Sequence, residues 1–180
     1  ISSAASDVYK RQETESSEKT TDKEEADAEE AEAEADSDED EAEEEEAVEE
    51  IEAAIEVEND LRSEIVTYAL QFVGNRYKYG GTNPNTGVDC SGFTSYVMRH
   101  AASVELPHSS GGQSRMGRVV SSSEMRPGDI ICYGSGKKIN HVALYIGNGQ
   151  IVHASTERTG IKVSRWNYRT PVRIVNVLGD

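Results

Sequence analysis

The apolar positions follow two different periods. In the first half of the compact sequence they recur at threes and fours: Ile65, Val66, Ala69, Leu70 and Val73 predict one helix, which Gly74-Asn75 can stop. Phe93, Val97 and Ala101 predict a second helix, starting at Cys90 and running to about Val104. A loop at Pro107 and Ser109-Ser110-Gly111-Gly112 follows, with a short helix expected to start near Gln113. From Val119 onward the apolar runs are short and bounded by turn residues: Ile130 to Tyr133, His141 to Ile146, Gln150 to Ala154, Ile161 to Val163, and Val172 to Val177. Helices first and strands last predict an α+β domain, with N-terminal helices packed on a mostly antiparallel sheet of about five to six strands.

Charge separates this part from what precedes it. Of the 180 residues, 1–61 carry a net charge of -23 and 62–180 a net charge of +7, so the overall -16 describes neither. Residues 13–60 read as an acidic linker that has little to bury and repels itself. Val48, Ile51 and Ile55 near its end have helical spacing but are too few to establish a coiled coil. Ser2–Gln12 back-translate into what resembles a transposase-type sequencing adapter, so residues 1–12 are set aside as an artefact and the true start is expected upstream. Residues 61–180 have the length of one ordinary domain. No run of about 18 apolar residues occurs, so no membrane span is expected, and two distant cysteines make no disulfide framework.

Candidate chemistry centres on Gly80-Gly81-Thr82-Asn83-Pro84-Asn85-Thr86-Gly87-Val88-Asp89-Cys90. A cysteine at a helix start meets unpaired amides and a positive dipole end, which favour thiolate over thiol. Taken alone, Cys90 reads first as a small apolar filler, and the rest of the chain has to outweigh that reading. Two of the four histidines, His141 and His153, lie on strands joined by Gly147-Asn148-Gly149. A two-residue loop would pair Leu144 with His153 and put the histidines on opposite faces. A three-residue loop with Gly149 left-handed would pair Ala143 with His153 and put them on one face, and this second arrangement is expected. His141 is then a base and His153 the group that orients it, which is what a cysteine nucleophile requires.

Tyr77-x-Tyr79-Gly80-Gly81, Asp89-Cys90-Ser91-Gly92-Phe93, Pro127-Gly128-Asp129, His141-Val142-x-x-Tyr145-Ile146-Gly147-Asn148-Gly149 and Val152-His153-Ala154 together resemble the NlpC-type cysteine peptidases of the papain-like superfamily. The resemblance spans about Arg62 to Val177. It implies hydrolysis of bacterial peptidoglycan stem peptides, commonly between γ-D-glutamyl and a diamino acid, without a cofactor, by a secreted or cell-wall-associated enzyme. Carried over, Cys90 is the nucleophile, His141 the base and later the acid, His153 the third member, and Tyr77 a neighbour of the thiol and oxyanion. The Cys90 amide is a second oxyanion candidate. Asp89 and Ser91 bind the peptide's polar end in some relatives; their alternative is capping the helix. Gly80, Gly81 and Gly87 are expected to let substrate backbone approach Cys90.

Other readings stay open on sequence alone. A zinc site from Cys90, Cys132, His141 and His153 has suitable ligand types but not the paired spacings of structural sites, and no metal is expected. Cys132 reads as core filling, and His100 and His108 as structural or surface residues. The domain could be a catalytically silent module that binds anionic wall polymers through its positive charge, or an acyltransferase using the same residues. A monomer that binds no nucleic acid is expected.

Overall fold

The structure is a computed structural model that describes residues 37–180. The assignment of residues 1–12 and the first half of the acidic linker lie outside the described residues, as do the side chains of Val48, Ile51 and Ile55, while residues 37–60 of the linker are helical. Residues 43–180 form one compact unit.

Helix α1 spans Ser37–Leu70. Its buried face is Ile65 and Ala69, continued by Phe72 in the turn beyond. Leu70 and Val73, assigned to the stripe from sequence, are instead exposed at 39% and 44%, because each directly follows a buried residue, Ala69 or Phe72, and so lies off the buried line. After Gly74 come two short paired strands, β1 (Thr82–Asn83) and β2 (Gly87–Val88). Helix α2 spans Cys90–Ala102. It buries Phe93, Val97 and Met98 completely, each worth about 1.5–3 kcal/mol of transfer free energy. Helix α3 is the single turn Ser110–Gln113. The short helix thus ends at Gln113 instead of starting there, because the Ser109 hydroxyl caps it by accepting from the Gly112 amide.

The strands that follow are β3 (Arg118–Val119), β4 (Ile130–Ser135), β5 (Lys138–Gly147), β6 (Gln150–Thr156), β7 (Gly160–Arg165) and β8 (Pro171–Asn176). They form one six-stranded antiparallel sheet in the order β3-β8-β4-β5-β6-β7. Register divides its side chains into two faces. Ile130, Cys132, Val142, Leu144, Val152, Ala154, Ile161 and Val175 join Ile65, Phe93 and Val97 in the main core beneath the helices. Ile131, Tyr133, Ala143, Ile151 and Ile174 form a smaller cluster on the other face, partly covered by Met125, Tyr145 and Trp166.

An ionic cluster ties α1 to the end of the described chain. Arg62, only 3% exposed, donates to both carboxylate oxygens of Asp180 at 3.1 and 2.6 Å, to Asp129 at 3.3 Å and to the Pro127 carbonyl. Arg126 pairs with Asp180 and Glu58, and the Asn176 amide also donates to Asp180. Burial opposes the Arg62 charge, but Asp180 and Asp129 overcome it and hold the guanidinium protonated. The Pro127-Gly128-Asp129 turn is therefore fixed from two directions, by Arg62 and by the Arg126 amide donating to Asp129.

Candidate active site

Cys90 is the first residue of α2, and its partners are set by the loop before it. Asp89 is the cap: its Oδ1 accepts from the Gly92 amide at 2.8 Å and its Oδ2 from the Gly80 amide at 3.0 Å. Gly92 and Gly81 then meet backbone to backbone. A methyl on Gly92 would lie 2.2 Å from the Gly81 carbonyl oxygen, and one on Gly81 would lie 2.2 Å from that of Gly87. These glycines close the loop onto itself and onto the helix start, which corrects the expectation that Gly81 and Gly87 make room for substrate. The result is a helix N-terminus held by contacts that tolerate no side chain, with the Cys90 sulfur facing the amides of Val142, Ser91 and Cys90 itself.

Val142 follows His141 on β5, so the same strand that offers an amide to the sulfur also carries the imidazole. His141 Nε2 lies 2.7 Å from His153 Nδ1, and His153 Nε2 lies 3.0 Å from the Ser164 hydroxyl. The two histidines share a face, but the loop differs from the one expected. Gly147 pairs with Gln150, so the loop has two residues, Asn148 and Gly149, both with positive φ (53° and 72°). The parity is changed by a β-bulge: register shifts between Tyr145 and Gly147, giving Tyr145↔Ile151 and Leu144↔Val152. Continued one residue, that register sets Ala143 against His153. The extra residue resides in the strand instead of the turn.

Burial governs the charges. It lowers His141 to about 4, with the nearby Arg169 cation adding to the effect, and lowers His153 to about 3, helped by His141 and Lys162. Burial also raises the Cys90 thiol, outweighing the Val142 amide that favours the thiolate. The resting pair is thus neutral thiol and neutral imidazole. The expectation of a preformed thiolate is overturned: about half a unit charge at a helix end does not offset the loss of water around the sulfur.

Against this geometry, the model of the NlpC/P60 family matches residues 74–174. The chain belongs to the NlpC/P60 family. It is 41% identical over 108 residues to "Murein DD-endopeptidase MepS/Murein LD-carboxypeptidase" of Escherichia coli strain K12, covering 60% of this chain and 56% of that protein. It is 42% identical over 98 residues to "Probable endopeptidase p60" of Listeria seeligeri, covering 54% of this chain but 18% of that protein. The chain therefore spans about half the length of the first of these relatives and less of the second. Among solved structures, the NlpC/p60 domain of peptidoglycan hydrolase SagA superposes with a TM-score of 0.59 at 32% identity, covering 64% of this chain and 97% of that one. The peptidoglycan hydrolase RipB of Mycobacterium tuberculosis gives 0.58 at 29% identity, covering 66% and 65%. The α+β fold with helices on an antiparallel sheet is the fold of these NlpC/P60 domains.

Within this NlpC/P60 domain the remaining sequence-selected residues separate. Tyr77 bridges Val88, two residues before Cys90, and is half-buried beside it; burial and then the Cys90 charge raise its phenol. The Asp89 carboxylate is engaged in capping and also lies 2.9 Å from His108 Nε2, giving His108 a partner that sequence did not name. Ser91 is 5% exposed and donates to Asp89, so it faces inward. Cys132 pairs with Val142 and shares its face, away from His141 and His153, so the four residues of the zinc alternative do not converge.

Four contributors escaped sequence reasoning. Gln113, fully buried, donates to the carbonyls of Ser91 and Pro107 and to Ser95, and accepts from Thr94, pinning the first turn of α2. Ser164 contacts His153, and the β7–β8 loop brings Tyr168 to 5.5 Å from the His153 ring. Arg169 in that loop donates to Asn140 and lies 5.7 Å from the Tyr133 ring centre. Ser164 reaches the His153 face only through the register shift between Ala154 and Thr156; an unbroken count from the Thr156–Gly160 pair would place it on the other face. Two hollows among the described residues lie elsewhere. One, of about 470 Å³, is lined by α1 and α2 residues including Tyr68 and His100; another of about 470 Å³ is lined by Val119, Trp166 and Val172. Neither contains Cys90.

Proposed function

We propose that this domain is a cysteine endopeptidase of peptidoglycan stem peptides, with Cys90 as nucleophile, His141 as general base and acid, and His153 as the group that orients His141. The observation that carries the proposal is the His141–His153 contact of 2.7 Å on the strand whose next amide faces the Cys90 sulfur. His141 Nε2 is occupied by His153, so Nδ1 is the nitrogen left for the thiol. As sulfur attacks the amide carbonyl, Nδ1 takes the thiol proton; the oxyanion is met by the Cys90 amide and Tyr77. The imidazolium returns the proton to the departing amine, leaving a thioester. Water then attacks the thioester as His141 takes its proton, and Cys90 leaves as the thiol. A neutral resting pair fits this sequence, because the charge separates only when substrate has replaced water around the sulfur.

Two bonds fit the chemistry. The motif resemblance favours γ-D-glutamyl to diamino acid, whereas the name of the Escherichia coli relative, a murein DD-endopeptidase, favours a D,D bond. Among the described residues no helix is long and apolar enough to cross a membrane, and the substrate class places the work in the cell wall. Asp89 and Ser91 are assigned to holding the helix start, and the open alternatives are a silent wall-binding module and an acyltransferase. Mass spectrometry of products from defined muropeptides decides among them. The wild type should release one new amine and one new carboxylate at a single bond, and Cys90→Ala none. Intact muropeptide with tight binding would identify a silent module, and products carrying an added amine would identify transfer.

A further inference from the structure

We infer that Ser164 is a positioning residue that selects the tautomer of both histidines. The inference rests on the proposed roles of Cys90 and His141. Each neutral ring carries one N–H, and the two contacts, His141 Nε2 to His153 Nδ1 and His153 Nε2 to Ser164 Oγ, leave two self-consistent arrangements. In the first, His141 Nε2–H donates to His153 Nδ1, His153 Nε2–H donates to the Ser164 oxygen, and His141 Nδ1 has a free lone pair. In the second, the Ser164 hydroxyl donates to His153 Nε2, His153 Nδ1–H donates to His141, and the proton on His141 sits at Nδ1, where it cannot take one from the thiol. Only the first is a base, and it requires an acceptor at Ser164.

The fold supplies that acceptor by register. Lys162 pairs with His153 and Ile151 with Ser164, so Ser164 is the diagonal neighbour of His153 on the same face. His153 is 1% exposed, so without Ser164 its Nε2–H would be buried with no partner and the proton would move to Nδ1. Ser164→Ala should therefore shift His153 to its Nδ1–H form and His141 with it, lowering kcat roughly five- to a hundredfold with little change in KM. Ser164→Thr, which keeps the hydroxyl, should recover most of the loss.

The decisive readout is the ring ¹⁵N spectrum of the full domain. The wild type should show bare Nδ1 on both rings and Ser164→Ala a bare Nε2 on both. Unchanged ring shifts in Ser164→Ala, or a Thr variant no better than Ala, would overturn the inference. The spectrum needs no turnover, so it stands even if the purified wild type cleaves no muropeptide, an outcome that would count against the peptidase reading alone.

A separate observation concerns substrate. Arg169 is held by Asn140 at 3.1 Å and by the face of Tyr133, whose ring lies 6.0 Å from that of His141, and among the described residues it pairs with no carboxylate. A fixed, unpaired guanidinium beside the group that protonates the leaving amine points to a ligand of opposite charge on that side. We propose that Arg169 binds a carboxylate on the residue whose amine is released. Two peptides differing only in whether that carboxylate is free or a carboxamide test this. The wild type should prefer the free acid by about tenfold in kcat/KM, and in Arg169→Gln the ratio should collapse towards one. An unchanged ratio overturns the proposal. If neither peptide is cleaved, calorimetric binding of both to the Cys90→Ala protein reads the same discrimination.

Discussion

Two buried polar clusters in this domain have opposite electrostatic designs. Around Arg62, buried charge is matched by charge: Asp129, Asp180 and Glu58 surround the guanidinium with acceptors, and Arg126 pairs with Asp180 and Glu58 in turn. Around His141, buried groups receive dipoles but, among the described residues, no counter-ion, and the full charges that act on them, Arg169 and Lys162, are of the sign that opposes protonation. In the first cluster the guanidinium is held protonated, while burial raises Asp129 against the pull of Arg62. The second is neutral at rest and gains its charges only by moving a proton. Burial alone does not separate structural from working groups, whereas compensation does.

The largest effect expected from breaking this contrast is at His141. His141→Ala should lower muropeptide turnover by at least about a thousandfold while changing denaturant stability little, since it removes a group that was costly to bury. Arg62→Ala should do the reverse: removing the guanidinium that pairs with Asp129 should cost about 3 kcal/mol in urea unfolding, with turnover per folded molecule retained. Equal losses of stability in the two variants would erase the distinction.

Acid should separate the clusters by pH. Both histidines are held below their ordinary value of about 6.5, so the folded state binds fewer protons than the unfolded chain. The stability they confer is full above that value and is lost as pH falls towards about 4. Asp180, held well below the usual carboxylate range by Arg62 and Asn176 despite its burial, contributes stability that is lost only below about pH 4. Unfolding free energy should thus fall in two stages, and replacing both histidines by Gln should remove most of the first. A single stage in the wild type would contradict this. The smallest effect concerns the cysteines. Cys132 is pushed up to about 12 by burial and should resist iodoacetamide in the native protein, while Cys90 reacts faster as pH rises above neutrality, without a plateau near pH 6. Mass spectrometry after alkylation at several pH values measures both.

Much of the active-site layout was legible in the sequence because it is local. A Gly-rich loop running into Cys90, and strands carrying His141 and His153 about a short turn, are matters of spacing. The helix-then-strand order was equally plain, and the sheet has the six strands it implied. The hidden parts depend on long-range contacts. Nothing near Arg62 in sequence announces Asp180, 118 residues away, and nothing near His153 announces Tyr168 in the next loop. The thiol's charge state was misjudged for a related reason: a helix start can be read from a pattern, but the amount of water removed from the sulfur cannot.

The bulge between Tyr145 and Gly147 also sets a rule for how this hairpin can change over evolution or in engineering. Surface turns usually accept insertions and deletions of any length. Here a single added or deleted residue would be a phase error that turns one histidine out of the site without unfolding a strand, whereas a change of two would restore the alignment. Viable length variants between His141 and His153 should therefore differ in even steps, or carry a second, compensating irregularity elsewhere in the ladder.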